Sequence, residues 1–331
     1  MLNVFIYWYN TVEHKKVSII GAGFVGASVA YSLMLDNIAD EIALIDIDNK
    51  KACGEADDIA HGVEGISNTA IYSGYHSDCR DSSIIVMTAG RGRLPGESRL
   101  DLAAENMKTL RSVADSLSGY YNGCPILMIS NPVDILTAGA EKLLGTPEGR
   151  IFGSGCMLDS SRFIRRIAQT VFPKDRAAQS GCAEKIKAFV IGEHGDAQIP
   201  LWNSVYVCGK PAEEYCAENN IIWNEDVRQT IFTETKNMGS SIIRAKGRTN
   251  YGIAVCACRI IRAVLNDEDF TASVSSTLGL GSHEIKAALS LPSVIGNKGV
   301  VSRAAVTLDD TEKKAFEKSA AEMRDMLKKL L

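Results

Sequence analysis

The sequence predicts an α/β protein, a doubly wound parallel sheet followed by an α+β region. Three observations carry this. Over the first half of the chain, short apolar runs alternate with helix-length segments. The first run ends in a glycine-rich turn, Gly21-Ala22-Gly23-Phe24-Val25-Gly26, and the second ends in an acid, Asp46. After about residue 154 the texture changes to a basic amphipathic helix, a strand ending at a histidine, and long polar helices.

The elements follow in order. Lys16–Ile20 is an apolar run bounded by glycine, as a buried parallel strand requires. Ala27–Leu35 reads as a helix and Glu41–Ile45 as a second strand, which places Asp46 20 residues after the third glycine. The glycine pattern alone carries little. Strand, glycine turn, helix, strand and acid in this order predict a Rossmann-type site for NAD. Gly21 permits the tight turn, Gly23 lets the backbone approach a pyrophosphate, and Gly26 lets the helix pack on the strand. The helix N-terminus then faces the anion. Asp46 accepts hydrogen bonds from a ribose and repels a 2′-phosphate, so NAD is favoured over NADP.

Runs at Ser83–Thr88, Pro125–Ile129 and Arg150–Phe152 continue the sheet, with helices at Asn49–His61, Asp101–Leu117 and Val133–Leu144 between them. Two of these strands end in Thr88-Ala89-Gly90 and Ser130-Asn131-Pro132, where such sheets place ligands. Beyond residue 154, helices are expected at Leu158–Val171, Glu213–Ala245, Thr249–Leu265 and Asp309–Leu331, with a strand over Phe270–Leu278. The run Ala188–Ile191 delivers Gly192-Glu193-His194-Gly195-Asp196 at a strand end. Histidine moves protons near neutral pH, and a glycine-flanked strand end presents it to a site.

Length and composition set the frame. A chain of 331 residues exceeds one ordinary core, so we expect an N-terminal arm or extension (1–15), a nucleotide lobe (16–154) and a catalytic lobe (155–331). With a net charge of −4 and scattered basic residues, no nucleic-acid or membrane partner is expected. The nine cysteines form no zinc-spaced set and no dense disulfide framework, which suggests reduced thiols in a cytoplasm and no metal. The aromatic first ten residues are too short to span a bilayer and lack a basic leader. They read as an arm packing on a neighbouring subunit or as an extension foreign to the fold, and both readings stay open.

Five motifs in order then resemble the L-lactate/malate dehydrogenase family, from about Lys16 to the C-terminus. They are Gly21–Gly26, Gly96-Glu97-Ser98-Arg99, Ser130-Asn131-Pro132-Val133-Asp134, Leu158-Asp159-Ser160-Ser161-Arg162 and Gly192–Asp196. The resemblance implies reversible hydride transfer between NADH and a small 2-keto acid, in a homo-oligomer with a tetramer favoured. It makes His194 the proton donor, Asp159 its partner, Arg162 the two-pronged grip on the substrate carboxylate, and Arg99 a lid residue that polarises the carbonyl. Asn131 would position nicotinamide and carbonyl. It also implies cofactor contacts from Phe24, Val25, Lys51, Tyr75, Thr88, Ala89, Gly90, Ser130 and Ser154. A nucleotide-sensing module that had lost catalysis would show decay among these residues, and a scaffolding role would not need them; all are present.

Substrate choice divides the sequence. Six residues before Arg99, where lactate dehydrogenases usually carry glutamine and malate dehydrogenases arginine, stands Arg93. An arginine there pairs with the second carboxylate of oxaloacetate, whereas over pyruvate it stays unpaired. Gly153-Ser154-Gly155, Gly96–Leu102 and Thr249 instead resemble lactate dehydrogenases. Charge matching makes oxaloacetate/malate the leading expectation, with pyruvate/lactate the alternative by overall resemblance. Many bacterial lactate dehydrogenases also respond to fructose 1,6-bisphosphate through an arginine and a histidine whose positions hold Ile164 and Lys187, so weak or absent activation is expected.

Overall fold

The computed structural model describes residues 14–62, 65–94, 96–277, 279–280 and 286–331. The aromatic N-terminal stretch and Leu278, at the end of one expected strand, lie outside the described residues. The first half consists of β1 (Lys16–Ile20), α1 (Phe24–Asp36), β2 (Glu41–Ile45), α2 (Asn49–His61), β3 (Ala70–Ser73), β4 (Ile84–Met87), α3 (Arg99–Leu117), β5 (Ile126–Met128), α4 (Val133–Leu144) and β6 (Ile151–Gly153). All six strands are parallel, in the order β3-β2-β1-β4-β5-β6. β1, β4, β5 and β6 are buried at every position, which is why they read as unbroken apolar runs. β3 carries no such signal because it lies at the sheet edge, half-exposed, and is recruited by pairing with β2.

The second half comprises α5 (Met157–Val171), α6 (Arg176–Ser180), α7 (Cys182–Lys185), β7 (Ile186–Lys187), β8 (Val190–Gly192), β9 (Gln198–Pro200), β10 (Tyr206–Val207), β11 (Lys210–Pro211), α8 (Ala212–Glu218), α9 (Glu225–Lys246), α10 (Tyr251–Asn266), β12 (Phe270–Ser276), β13 (Leu289–Gly296), β14 (Gly299–Arg303) and α11 (Asp310–Leu330). β12 pairs antiparallel with β6, and β13, β8 and β9 extend the same sheet to eleven strands with β14 alongside β13. The helix expected over Glu213–Ala245 is two helices. The chain turns at Asn220, which adopts φ 54°, and Asn224 restarts it by accepting a hydrogen bond from the Val227 N–H. The helix α10 begins at Tyr251 rather than Thr249, with Asn250 before it outside the helical conformation at φ −148° and making no side-chain cap.

Helices cover both faces of the sheet. One core packs α1, α2 and α10 against β1, β2 and β4, and the other packs α3, α4 and α11 against β4 and β5. The strand order reverses between β1 and β4, so the crossovers leave in opposite directions and a crevice opens at the C-terminal ends of these strands. None of the described helices is long and apolar enough to cross a membrane.

Candidate active site

The crevice at the switch point is a cavity of about 690 Å³ lined by Gly21, Gly23, Asp46, Lys51, Thr88, Ala89 and Gly90. Its floor depends on missing side chains. A Cβ on Gly26 would lie 1.9 Å from the Gly21 carbonyl oxygen, so α1 can approach β1 only with glycine there. Gly21 has φ +109°, and a Cβ on it would meet the Ala89 nitrogen at 2.6 Å. Above Gly23 the nearest atom a Cβ would meet is the Lys51 Nζ at 4.0 Å. Open space at a helix N-terminus, faced by a cation, fits a pyrophosphate. No side chain caps α1, so its first N–H groups are left for a ligand. Asp46 accepts from the Ala22 N–H at 2.7 Å and the Asp48 N–H at 3.0 Å, which fixes its carboxylate at the crevice rim.

A second cavity, of about 120 Å³, is lined by Val25, Asn131, Ser154, Arg162, His194 and Thr249 among others. β8 carries His194 to it from one side. The first turns of α5 bring Asp159 and Arg162 from below. The His194 Nδ1 lies 2.6 Å from Asp159 Oδ2, and Arg162 Nη1 donates to Asp159 Oδ1 at 3.0 Å. Asp159 is 2% exposed. Burial pushes its carboxyl upward, yet the charges and hydrogen bonds of His194 and Arg162 outweigh this and hold it below the usual carboxylate range. Burial alone would lower His194, but the Asp159 charge and hydrogen bond, with a further contribution from Asp134, raise it above ordinary histidine. The arrangement therefore favours the protonated form of a histidine beside an arginine, a pairing that suits an anionic acceptor of protons.

The loop between β4 and α3 is knotted by Glu97, which engages Arg91 and accepts from the Leu94 N–H at 2.9 Å. Ser98 and Asp101 form a reciprocal cap that starts α3 at Arg99. Arg99 Nη2 donates to the His194 carbonyl at 3.2 Å, and its Nη1 meets the Glu193 carboxylate. Gly195 makes this possible, since a Cβ there would lie 2.7 Å from the guanidinium. Arg93 is exposed and donates from Nε to the Glu97 carbonyl at 2.7 Å.

Most expected residues therefore gather in two adjoining cavities. Seven do not line either one: Asp159 lies behind the His194 ring, Arg99 is held at Glu193, Gly26 packs α1 on β1, and the other four stand apart. Phe24 is exposed beneath the Arg248 guanidinium, and Tyr75 is exposed where it starts a short 3-10 turn. Ser130 is buried and donates to the Ala89 carbonyl at 2.6 Å, so it braces the crevice from behind. Arg93 stays on the surface of the β4–α3 loop. Sequence reasoning missed His76, which lines the crevice, and Asn106, whose amide joins the Arg91 backbone to the Asn131 carbonyl. Asn106 lies on the inner face of α3, and only the packing of α3 against two strand ends reveals its role. Among the described residues no cluster suited to a metal ion occurs.

The family model for the lactate/malate dehydrogenase NAD binding domain matches residues 15–153, and that for the lactate/malate dehydrogenase alpha/beta C-terminal domain matches residues 156–331. Similar curated proteins include the L-lactate dehydrogenase of Acetivibrio thermocellus, 36% identical over 317 residues, covering 96% of this chain and 97% of that one. Another is the L-lactate dehydrogenase of Thermoanaerobacter pseudethanolicus, 38% identical and covering 96% and 99% of the two chains. Among solved structures, a lactate dehydrogenase from a Medee basin deep-sea metagenome library matches with TM-score 0.88 at 32% identity, covering 96% of this chain and 99% of that one. The minor L-lactate dehydrogenase of Enterococcus mundtii, in a ligand-bound form, matches with the same TM-score, identity and coverage.

Proposed function

This chain belongs to the lactate/malate dehydrogenase family, an NAD-dependent oxidoreductase acting on the CH–OH group of a 2-hydroxy acid, and from that premise we propose that its substrate pair is pyruvate and L-lactate. Arg93 taken alone leads to oxaloacetate and malate. The relatives described above are named lactate dehydrogenases and favour the alternative. The observation that carries the proposal is the tail end of the small cavity. Thr249 lines it and Arg93 does not, so the space beyond the reacting carbon offers bulk rather than a second cation. The malate reading keeps one support, the placement of Arg93 on a lid that can bring it over the substrate.

In the proposed site NADH, when bound, supplies the hydride. Arg162 grips the substrate carboxylate in a planar, two-pronged pair that lysine cannot reproduce. His194, with Nδ1 committed to Asp159, gives a proton from Nε2 to the ketone oxygen in reduction and takes it back in oxidation. Arg99 moves from Glu193 and the His194 carbonyl to the developing negative oxygen as the lid closes. Asn131 orients the carbonyl. Gly21, Gly23, Val25, Gly26, Asp46, Lys51, Thr88, Ala89, Gly90 and Ser154 hold the cofactor, with the lobes divided near residue 154. The test is NADH oxidation with pyruvate and with oxaloacetate, for the wild type and Arg93→Gln. A higher kcat/KM for pyruvate in the wild type is expected; preference for oxaloacetate that the substitution reverses would replace this reading with malate dehydrogenase.

We also propose a cytoplasmic homo-oligomer. Cys53, Cys79, Cys124, Cys156, Cys208, Cys216, Cys256 and Cys258 are free thiols, and the adjoining helices α1 and α10 leave Phe24, Tyr31, Leu35, Tyr251 and Val255 exposed, the kind of apolar surface that a second subunit covers. Light scattering at micromolar concentration should give a mass at least twice the monomer's, and a monomer would refute it.

A further inference from the structure

One buried carboxylate in the site has no part in the scheme above. Asp134 lies in the first turn of α4 and is 1% exposed. Its Oδ2 accepts from the His194 backbone N–H at 2.8 Å, and its Oδ1 accepts from the Ser275 hydroxyl on β12 at 2.6 Å. Both oxygens are thus committed, and three elements far apart in sequence meet at one side chain. We infer that Asp134 is a positioning residue for His194: its carboxylate tethers the turn after β8 to α4 and β12 and sets a second fixed negative charge beside the imidazole. This rests on the reading of His194 as the proton donor.

The geometry explains why a carboxylate is needed where burial disfavours one. Burial pushes the Asp134 carboxyl above its usual range, against the Ser275 and His194 hydrogen bonds and the nearby His194 and Arg99 charges. The α4 N-terminus stabilises the anion further. A neutral acceptor would satisfy the His194 N–H at lower cost, so the charge itself has a use. Around His194 stand Asp159 and Arg162 from α5, Asp134 from α4 and Arg99 from α3, with Glu193 and Asp196 on its own turn and Lys236 of α9 bonded to the Asp196 carbonyl. Asp159 holds the ring. Asp134 holds the backbone that aims the ring, three residues after Asn131 on the same segment, so donor and carbonyl-orienting group share one anchor.

The test compares His194→Gln, Asp134→Asn and Ser275→Ala in pyruvate reduction from pH 5 to 9. His194→Gln should abolish turnover while keeping NADH binding; if it does not, the reading of His194 itself fails, whatever Asp134 does. The Asp134→Asn side chain can offer oxygen to His194 and its amide to Ser275, keeping the tether and losing the charge. We expect kcat to fall roughly tenfold, the KM for NADH to stay within about twofold, and the alkaline limb of the profile to move to lower pH. Ser275→Ala loosens the tether but keeps the charge, so kcat should fall several-fold with the limb unmoved. A parental pH profile and kcat in Asp134→Asn would overturn the inference. If that variant does not fold, Ser275→Ala decides: parental kcat overturns the inference, and reduced kcat with an unmoved limb supports it.

Discussion

Replacing Asp159 by asparagine removes the charge that favours protonated His194 while leaving a side chain of the same shape. In the parent, the carboxylate lies 2.6 Å from the His194 Nδ1 and is 2% exposed. With charge centres about 4 Å apart and an effective dielectric constant of about 20, the attraction is about 4 kcal/mol. Arg162 shares the same carboxylate, so not all of this reaches the imidazole. A loss of about 3–4 kcal/mol corresponds to roughly 10²- to 10³-fold in the protonation constant of His194. The sign follows from the direction of reaction. Reduction of the ketone needs protonated His194, so kcat for pyruvate at pH 7 should fall by up to that factor, and the alkaline limb should move to lower pH. Alcohol oxidation needs neutral His194 and should lose less. Freed from its partner, Arg162 should also hold the substrate carboxylate less squarely and raise the KM for pyruvate. Stopped-flow NADH oxidation across pH 5–9 in both directions measures all three. A reduction rate within fivefold of the parent, with an unmoved limb, would refute the electrostatic argument.

Two other outcomes test the frame and its regulation. Lys16 is 3% exposed and pairs with Glu41 at 2.9 Å and Asp81 at 2.8 Å. Burial raises the Glu41 carboxyl, but hydrogen bonds from Tyr72 and Lys16 outweigh it and hold the group at about 2. Stability from this depressed value is present above the unfolded carboxylate range and is lost as pH falls toward 2. Glu41→Gln should therefore lose ~3 kcal/mol at pH 7, visible as a lower Tm, and should show less further loss between about pH 4.5 and 2; an unchanged Tm at pH 7 would contradict it. Fructose 1,6-bisphosphate should leave the pyruvate saturation curve in place. Ile164 packs among apolar neighbours in the second lobe, and Lys187 lines its cavity together with Glu184, which opposes an anion. A clear left-shift would show that Lys185 and Lys187 suffice.

Much of the site was legible because its chemistry is local in sequence. Gly21, Gly23 and Gly26 fall within one turn, and Asp159 and Arg162 share one face of α5. Their adjacency needs only the helical repeat. The same holds for β1, β4 and β5, whose burial on both faces writes itself as continuous apolar runs. β3 left no such trace because an edge strand buries little, and the break before α9 was hidden because Asn219, Asn220 and Asn224 interrupt a helix through backbone conformation rather than hydropathy.

By itself the sequence predicted the buried parallel strands and the glycine turn with Asp46, since these follow from residue types at fixed short spacings, while the pairing of His194 with Asp159, 35 positions apart, was implied only by the family resemblance. Only the tertiary structure decided which distant groups meet them. Asp134 reaches His194 across 60 positions and Ser275 across 141, and Asn106 joins two strand ends from a third element. Arg93 ends on the surface of the β4–α3 loop, bonded within it. Such contacts depend on how helices and strands dock, where hydrogen-bond satisfaction of buried groups and the closeness of packing select one arrangement, and no local pattern in the chain records that choice.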